Sequence, residues 1–170
     1  MLEHWHEFYI LVGTAAATLV ALLFVAVSLG AGFLTDERAA ATRAFFSPVV
    51  AHFTAVFFIA AVGLFPAHNT TIFAVLVGIC AAVGAAMSVF ATVELLRHGW
   101  TNYVQDHLAY GLLPASAYVM LLAAAWLVLI RHEYALLILA CALLLLLIVN
   151  IRNAWDLTLS MVRHHSKKKK

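Results

Sequence analysis

The sequence predicts an all-α membrane protein, a single domain over residues 1–170 folded as a bundle of five transmembrane helices with the N-terminus outside and the C-terminus cytoplasmic. Three observations predict it. The first is composition: of 170 residues, 65% are apolar and 11% charged, against about 45–50% and about 25% in soluble domains, and mean hydropathy is +1.00. The second is where the charges fall. Asp, Glu, Lys and Arg are absent from the 28 residues between Glu7 and Asp36 and the 50 between Arg43 and Glu94. They are absent again from the 24 between Asp106 and Arg131 and the 18 between Glu133 and Arg152. Crossing a hydrocarbon core of about 30 Å takes about 20 apolar helical residues, so the longest of these runs holds two crossings and the chain five. The third is the sidedness of the cations. With the N-terminus outside, Arg38, Arg43, Arg97, Arg152, Arg163 and Lys167 to Lys170 fall inside and Arg131 alone outside, a nine-to-one positive-inside bias.

Each helix has its own warrant. The first is expected near 8–33; its apolar run is long and lacks a positively charged leader, so it is expected to stay in place as a membrane span. The second is expected near 45–65, with Pro48 in its first turn, where a missing N–H costs little, and Pro66 closing it. The "PAHNTT" turn leads to the third, near 71–96. The fourth, near 108–130, carries Pro114, which frees the carbonyl of Tyr110 four residues back. "RHEY" joins it so tightly to the fifth, near 134–156, that the two must form an antiparallel hairpin. The tail 163–170, "RHHSKKKK", reads as a topology anchor or as a juxtamembrane basic cluster of the kind attracted to anionic lipid. Trp5, Tyr9 and Tyr134 suit one interface and Trp100, Tyr103 and Trp155 the other.

Helical spacing then picks out candidate residues. In the first helix Thr14, Thr18, Ala21, Val25, Ser28, Gly32 and Thr35 recur four and three residues apart, a stripe of mostly small or hydroxylated side chains. The third helix repeats the device with Gly78, Ala81, Ala85, Ser88 and Thr92. Small residues permit close helix approach and hydroxyls can bond across it. The competing expectation is that such a stripe lines a narrow path, its hydroxyls standing in for hydration water. Polar groups gather toward the cytoplasmic third: His52, Ser88, Thr92 and Asn150, with Glu94 and Asp156 nearer the surface. Polar residues within spans are costly and mark functional sites. The candidate path is therefore Thr14, Thr18, Ser28, His52, Ser88, Thr92 and Asn150.

At the outer side, "MLEHWHEFY" supplies His4 and His6, "PAHNTT" His68, and "RHEY" His132 beside Glu133. Imidazole and carboxylate are suitable ligands for zinc or a similar divalent ion, but the spacing matches no metal motif such as H-E-x-x-H. The alternative is an interfacial anchor. Cys80 and Cys141 read as small apolar packing residues. No Walker lysine motif, G-x-G-x-x-G or G-x-S-x-G is present, so no enzyme and no cofactor is expected beyond that divalent metal. The basic tail is too short to point to nucleic acid.

"EFYILVGTAAATLVALLFVAVS", with "FFSPVVAHF" downstream, resembles uncharacterised bacterial multi-span integral membrane proteins over the first third of the chain. The resemblance implies a bacterial inner membrane and carries no activity with it. The function expected from the residues is a small homo-oligomeric channel or facilitator for a small ion or solute. The alternatives are an accessory or scaffold subunit of a larger membrane complex and an outward-facing metal-binding protein. The orientation has a direct check. A cysteine at Ala67 is expected to react with an impermeant thiol reagent added outside intact cells and one at Gly99 to resist it; the reverse pattern would invert the topology.

Overall fold

The computed structural model describes residues 3–30, 36–66, 69–98 and 108–167. Every regular element among them is helical. A 3₁₀ turn, Glu3–Trp5, leads into α1 (His6–Gly30), followed by α2 (Asp36–Gly63) and α3 (Thr70–His98). A π-helical turn, Leu108–Leu112, opens α4 (Leu113–Leu129), and α5 (Ala135–Lys167) completes the chain. Four stretches are long and apolar enough to cross a membrane: His6–Ala26, Thr70–Val93, Tyr110–Leu129 and Ala135–Leu159. The apolar part of α2, Pro48–Gly63, is shorter.

Three boundaries depart from expectation, each for a local reason. Helix α2 begins at Asp36 rather than near 45, because "DERAAATRA" is rich in good helix formers. Pro48 therefore lies inside the helix and not in its first turn. There it removes one ladder bond where a charged stretch gives way to an apolar one. Helix α5 continues to Lys167 rather than ending near 156, since no Gly or Pro follows Pro114. The π-helical turn sits just before Pro114, whose ring crowds the carbonyl of residue 110 and favours a wider turn.

The hairpin between α4 and α5 is as tight as its four residues require. Arg131 adopts φ 54°, its N–H bonds the Val128 carbonyl at 3.1 Å, and the His132 N–H bonds the Leu127 carbonyl at 2.9 Å. This pair of bonds is the Schellman cap, with an arginine in the left-handed position that glycine usually holds.

Helices α2, α3, α4 and α5 pack each against the next and α5 back against α2, closing a four-helix ring; α1 lies outside it against α2 and α5. Successive helices run antiparallel. On α3 and α4, Gly78 faces Ala125, Gly84 faces Tyr118 and Thr92 faces Gly111, so sequence order reverses across the contact. Between α1 and α2, Gly13 meets Ala60 and Gly63 lies beneath the Tyr9 ring. The core is filled by Ile59, Leu121, Leu139, Leu143 and Leu146, all inaccessible to solvent.

Candidate functional site

The four candidate metal histidines are not shown as a ligand cluster among the described residues. His4, His6 and His132 are exposed, and His68 lies outside the described residues. Among the described residues no three His, Cys, Asp or Glu side chains are grouped to hold a metal ion. His132 serves its own turn instead: its Nδ1 accepts from the Tyr134 N–H at 3.3 Å. The aromatic side chains of the opening stretch pack on one another and on α3, and Tyr9 is wholly buried. Trp5 packs edge-on against Phe8 at 5.6 Å between centroids, and Tyr9 edge-on against Phe73 of α3 at 6.5 Å. Gly63 lets the Tyr9 ring lie flush on α2, since a Cβ there would stand 3.0 Å from ring carbons.

The seven candidate path residues separate into two groups. Thr14, Thr18 and Ser28 lie on the exposed face of α1, together with Ala21 and Val25, so the stripe points away from the ring. Gly32 and Thr35 lie outside the described residues. Ala16 and Leu23, on the opposite face of α1, are buried. The hydroxyls of Thr18 and Ser28 donate to the carbonyls of Thr14 and Phe24, each at 2.8 Å. By contrast His52, Ser88 and Asn150 are buried within the ring, and Thr92 is half-buried. One lumen inside a protomer cannot be lined by both groups.

The buried group has a centre that its spacing did not reveal. His52 Nδ1 of α2 and the Tyr118 hydroxyl of α4 share a hydrogen bond of 2.7 Å, both residues being almost wholly buried. The Tyr118 ring lies on Gly84 of α3, where any Cβ would collide with it. One turn further along α3, the Ser88 hydroxyl donates to the Gly84 carbonyl at 2.9 Å, and the Thr92 hydroxyl to the Ser88 carbonyl at 2.7 Å. Thr92 abuts Gly111. The neighbouring Tyr110 hydroxyl donates to the Asn153 carbonyl of α5 at 3.2 Å. Asn150, one turn before Asn153, donates its side-chain N–H to the Leu146 carbonyl at 2.8 Å, while its Oδ1 is buried without a hydrogen-bond partner among the described atoms.

These groups form a seam from mid-bundle toward Gly111 and Asn153, with contributions from all four ring helices. They are neutral donors and acceptors; among the residues whose side chains the structure describes, no Asp, Glu, Lys or Arg is buried. The side chain of Glu94 lies outside the described residues. Asp156 is turned outward and lies 3.9 Å from Arg152, one turn back. Tyr118, Gly84, Tyr110 and Asn153 are the members that sequence spacing missed. The available signals were a glycine just off the small-residue stripe of the third helix and a tyrosine four residues after Pro114.

Lateral to this seam, α2 and α3 leave a groove of about 400 Å³, with Tyr118 at its floor. Cys80 lies on its wall, whereas Cys141 on α5 is exposed, and both thiols are free. Fold and site together define an all-helical bundle with four helices able to span a membrane and a neutral polar interior. Comparison with protein-family models, with curated proteins and with solved structures gives no match.

Proposed function

We propose that the protein is an oligomeric channel or facilitator of a bacterial inner membrane, passing a small ion or solute along the surface where protomers meet. In this reading the helix Pro48–Gly63 is a fifth crossing and the N-terminus is outside. The observation that carries the proposal is the direction of the α1 stripe. Thr14, Thr18 and Ser28 present hydroxylated positions outward at helical spacing, where a neighbouring protomer could complete a lumen. Thr18 and Ser28 spend their protons on carbonyls of their own helix, which leaves oxygen lone pairs as acceptors for a partly dehydrated cation or a polar solute. The filled core of the ring supports a path between protomers over one through a protomer. The same face supports a second reading, an accessory subunit docked on a larger membrane complex, because large apolar side chains such as Leu22 and Phe24 are exposed alongside it.

Particle symmetry in mild detergent combined with flux into proteoliposomes tests the proposal. The expected result is a closed homo-oligomer, with flux that falls by an order of magnitude or more in Thr18→Leu, since a narrow lumen tolerates no added apolar volume. A monomer with no flux of any small ion or solute would remove the channel and leave the accessory subunit in its place.

A further inference from the structure

We infer that the end of α5 binds the phosphate of an anionic phospholipid, held by Arg152 and Trp155 and drawn in by Arg163 and Lys167 on the same face. The site requires α5 to cross the bilayer and is independent of any conduction.

Depth and direction agree on the place. Ala135 begins the apolar stretch Ala135–Leu159, and Arg152 follows it by about 26 Å of helix and Trp155 by about 30 Å, at about 1.5 Å per residue. The hydrocarbon core is about 30 Å thick, and headgroups extend the bilayer to about 40–45 Å. Both side chains therefore stand where acyl chains give way to phosphates. There an arginine stem can lie in hydrocarbon while its guanidinium reaches the polar layer. Ile148, Ile151 and Trp155 are exposed, as is Arg152, whereas Asn153 and Leu157 on the other side of the helix are buried against the bundle. Arg152 faces lipid beside an indole.

The guanidinium is available for a phosphate. Asp156 approaches its Nε at 3.9 Å, and both side chains are nearly half exposed. That distance exceeds hydrogen-bond length, and an exposed pair with the cation on the N-terminal side is the weaker helical arrangement. The arginine fork, which matches two phosphate oxygens, is thus not held by Asp156. Helix α5 then continues to Lys167. Arg163 and Lys167 follow Arg152 by close to three and four whole turns at about 3.6 residues per turn, so helical register places both on the Arg152 face. Cations that only fix topology must lie on one side of the membrane, at any angle around the helix. Alignment with Arg152 and Trp155 is what a headgroup bound at the side of the helix requires.

The test uses the full chain with Trp155 as its sole tryptophan, Trp5, Trp100 and Trp126 being replaced by phenylalanine, in phosphatidylcholine vesicles. Quenching of Trp155 fluorescence by dibrominated phosphatidylglycerol is compared with quenching by dibrominated phosphatidylcholine at equal mole fraction. A cation near the headgroups contributes about fivefold in affinity. Phosphatidylglycerol is therefore expected to be preferred severalfold, less so as salt rises. A chain that keeps Trp5 instead, between Glu3 and Glu7, should show no preference. Arg152→Gln should lower the preference about fivefold, and Arg163→Gln/Lys167→Gln should lower it too. Asp156→Asn should raise it, because the carboxylate repels phosphate. Equal quenching of Trp155 by the two lipids, or a preference that survives Arg152→Gln or the tail variant intact, would overturn the site. So would an Asp156→Asn chain that behaves like Arg152→Gln, which would reduce Arg152 to a partner of Asp156. Loss of the preference to inorganic phosphate at constant ionic strength would overturn it as well and assign the cations to a soluble phosphate ligand.

Discussion

Gly84→Ala is expected to destabilise the bundle by about 1–3 kcal/mol. The added methyl would lie 2.7 Å from Cδ1 of Tyr118 and closer still to its neighbouring ring atoms, a distance that side chains do not tolerate. Neither partner can yield cheaply. Gly84 is fixed by the backbone of α3, and the Tyr118 ring is held between that backbone and His52. The ring must swing, which breaks the 2.7 Å bond and strands a buried imidazole. Thermal unfolding in detergent measures the loss. The diagnostic arm is Tyr118→Leu combined with Gly84→Ala. If the collision is the cause, the two changes together should cost clearly less than the sum of each alone, because adjacent sites couple. Simple additivity would show that Gly84 acts through something other than the tyrosine. Gly78 provides the contrast: its Cβ would meet Ala125 at an ordinary 3.8 Å, and Gly78→Ala is expected to be close to neutral.

The second large effect concerns the hydrogen bond itself. Tyr118→Phe removes the hydroxyl and leaves His52 Nδ1 without its partner in a site that solvent barely reaches. A buried polar group so abandoned costs about 1–3 kcal/mol, whereas replacing both partners by apolar groups of similar shape is nearly neutral. The expected order of stability is therefore wild type and His52→Leu/Tyr118→Phe close together, with Tyr118→Phe alone clearly below them. A double variant as unstable as the single one would mean that His52 is held mainly by other contacts.

Much of the architecture was legible in the residues because the bilayer imposes a severe rule. Backbone groups in hydrocarbon must bond internally, so a charge-free run of sufficient length leaves few options but a helix. The long apolar stretches of α1, α3, α4 and α5 follow from that rule, and the antiparallel hairpin follows from the four residues of "RHEY". The third-helix stripe lies on a packed face. Ala81 and Ser88 are buried, and Gly78 meets Ala125 of α4, the close helix approach that small residues permit. Helix ends were less legible. The cue used was loss of apolarity, whereas a helix leaving the membrane persists as long as good helix formers follow, as at Asp36 and beyond Asp156.

The candidate site divides along the same line. Sequence by itself determined which side chains are polar within otherwise apolar helices, and hence that His52, Ser88, Thr92 and Asn150 deserved notice. It determined that the first helix carries a hydroxylated stripe. Only the tertiary structure decided which way each points. Periodicity defines a helix face but not what the face meets, since in lipid an apolar residue is stable whether it faces hydrocarbon or core. Soluble proteins lack this ambiguity because water penalises one choice. For that reason the α1 stripe and the α3 stripe, alike in spacing and composition, have opposite fates: one faces out, the other packs against α4. The pairing of His52 with Tyr118, 66 residues apart, likewise depended on the antiparallel register of α2, α3 and α4 and on the missing side chain of Gly84, through which the tyrosine ring reaches its place.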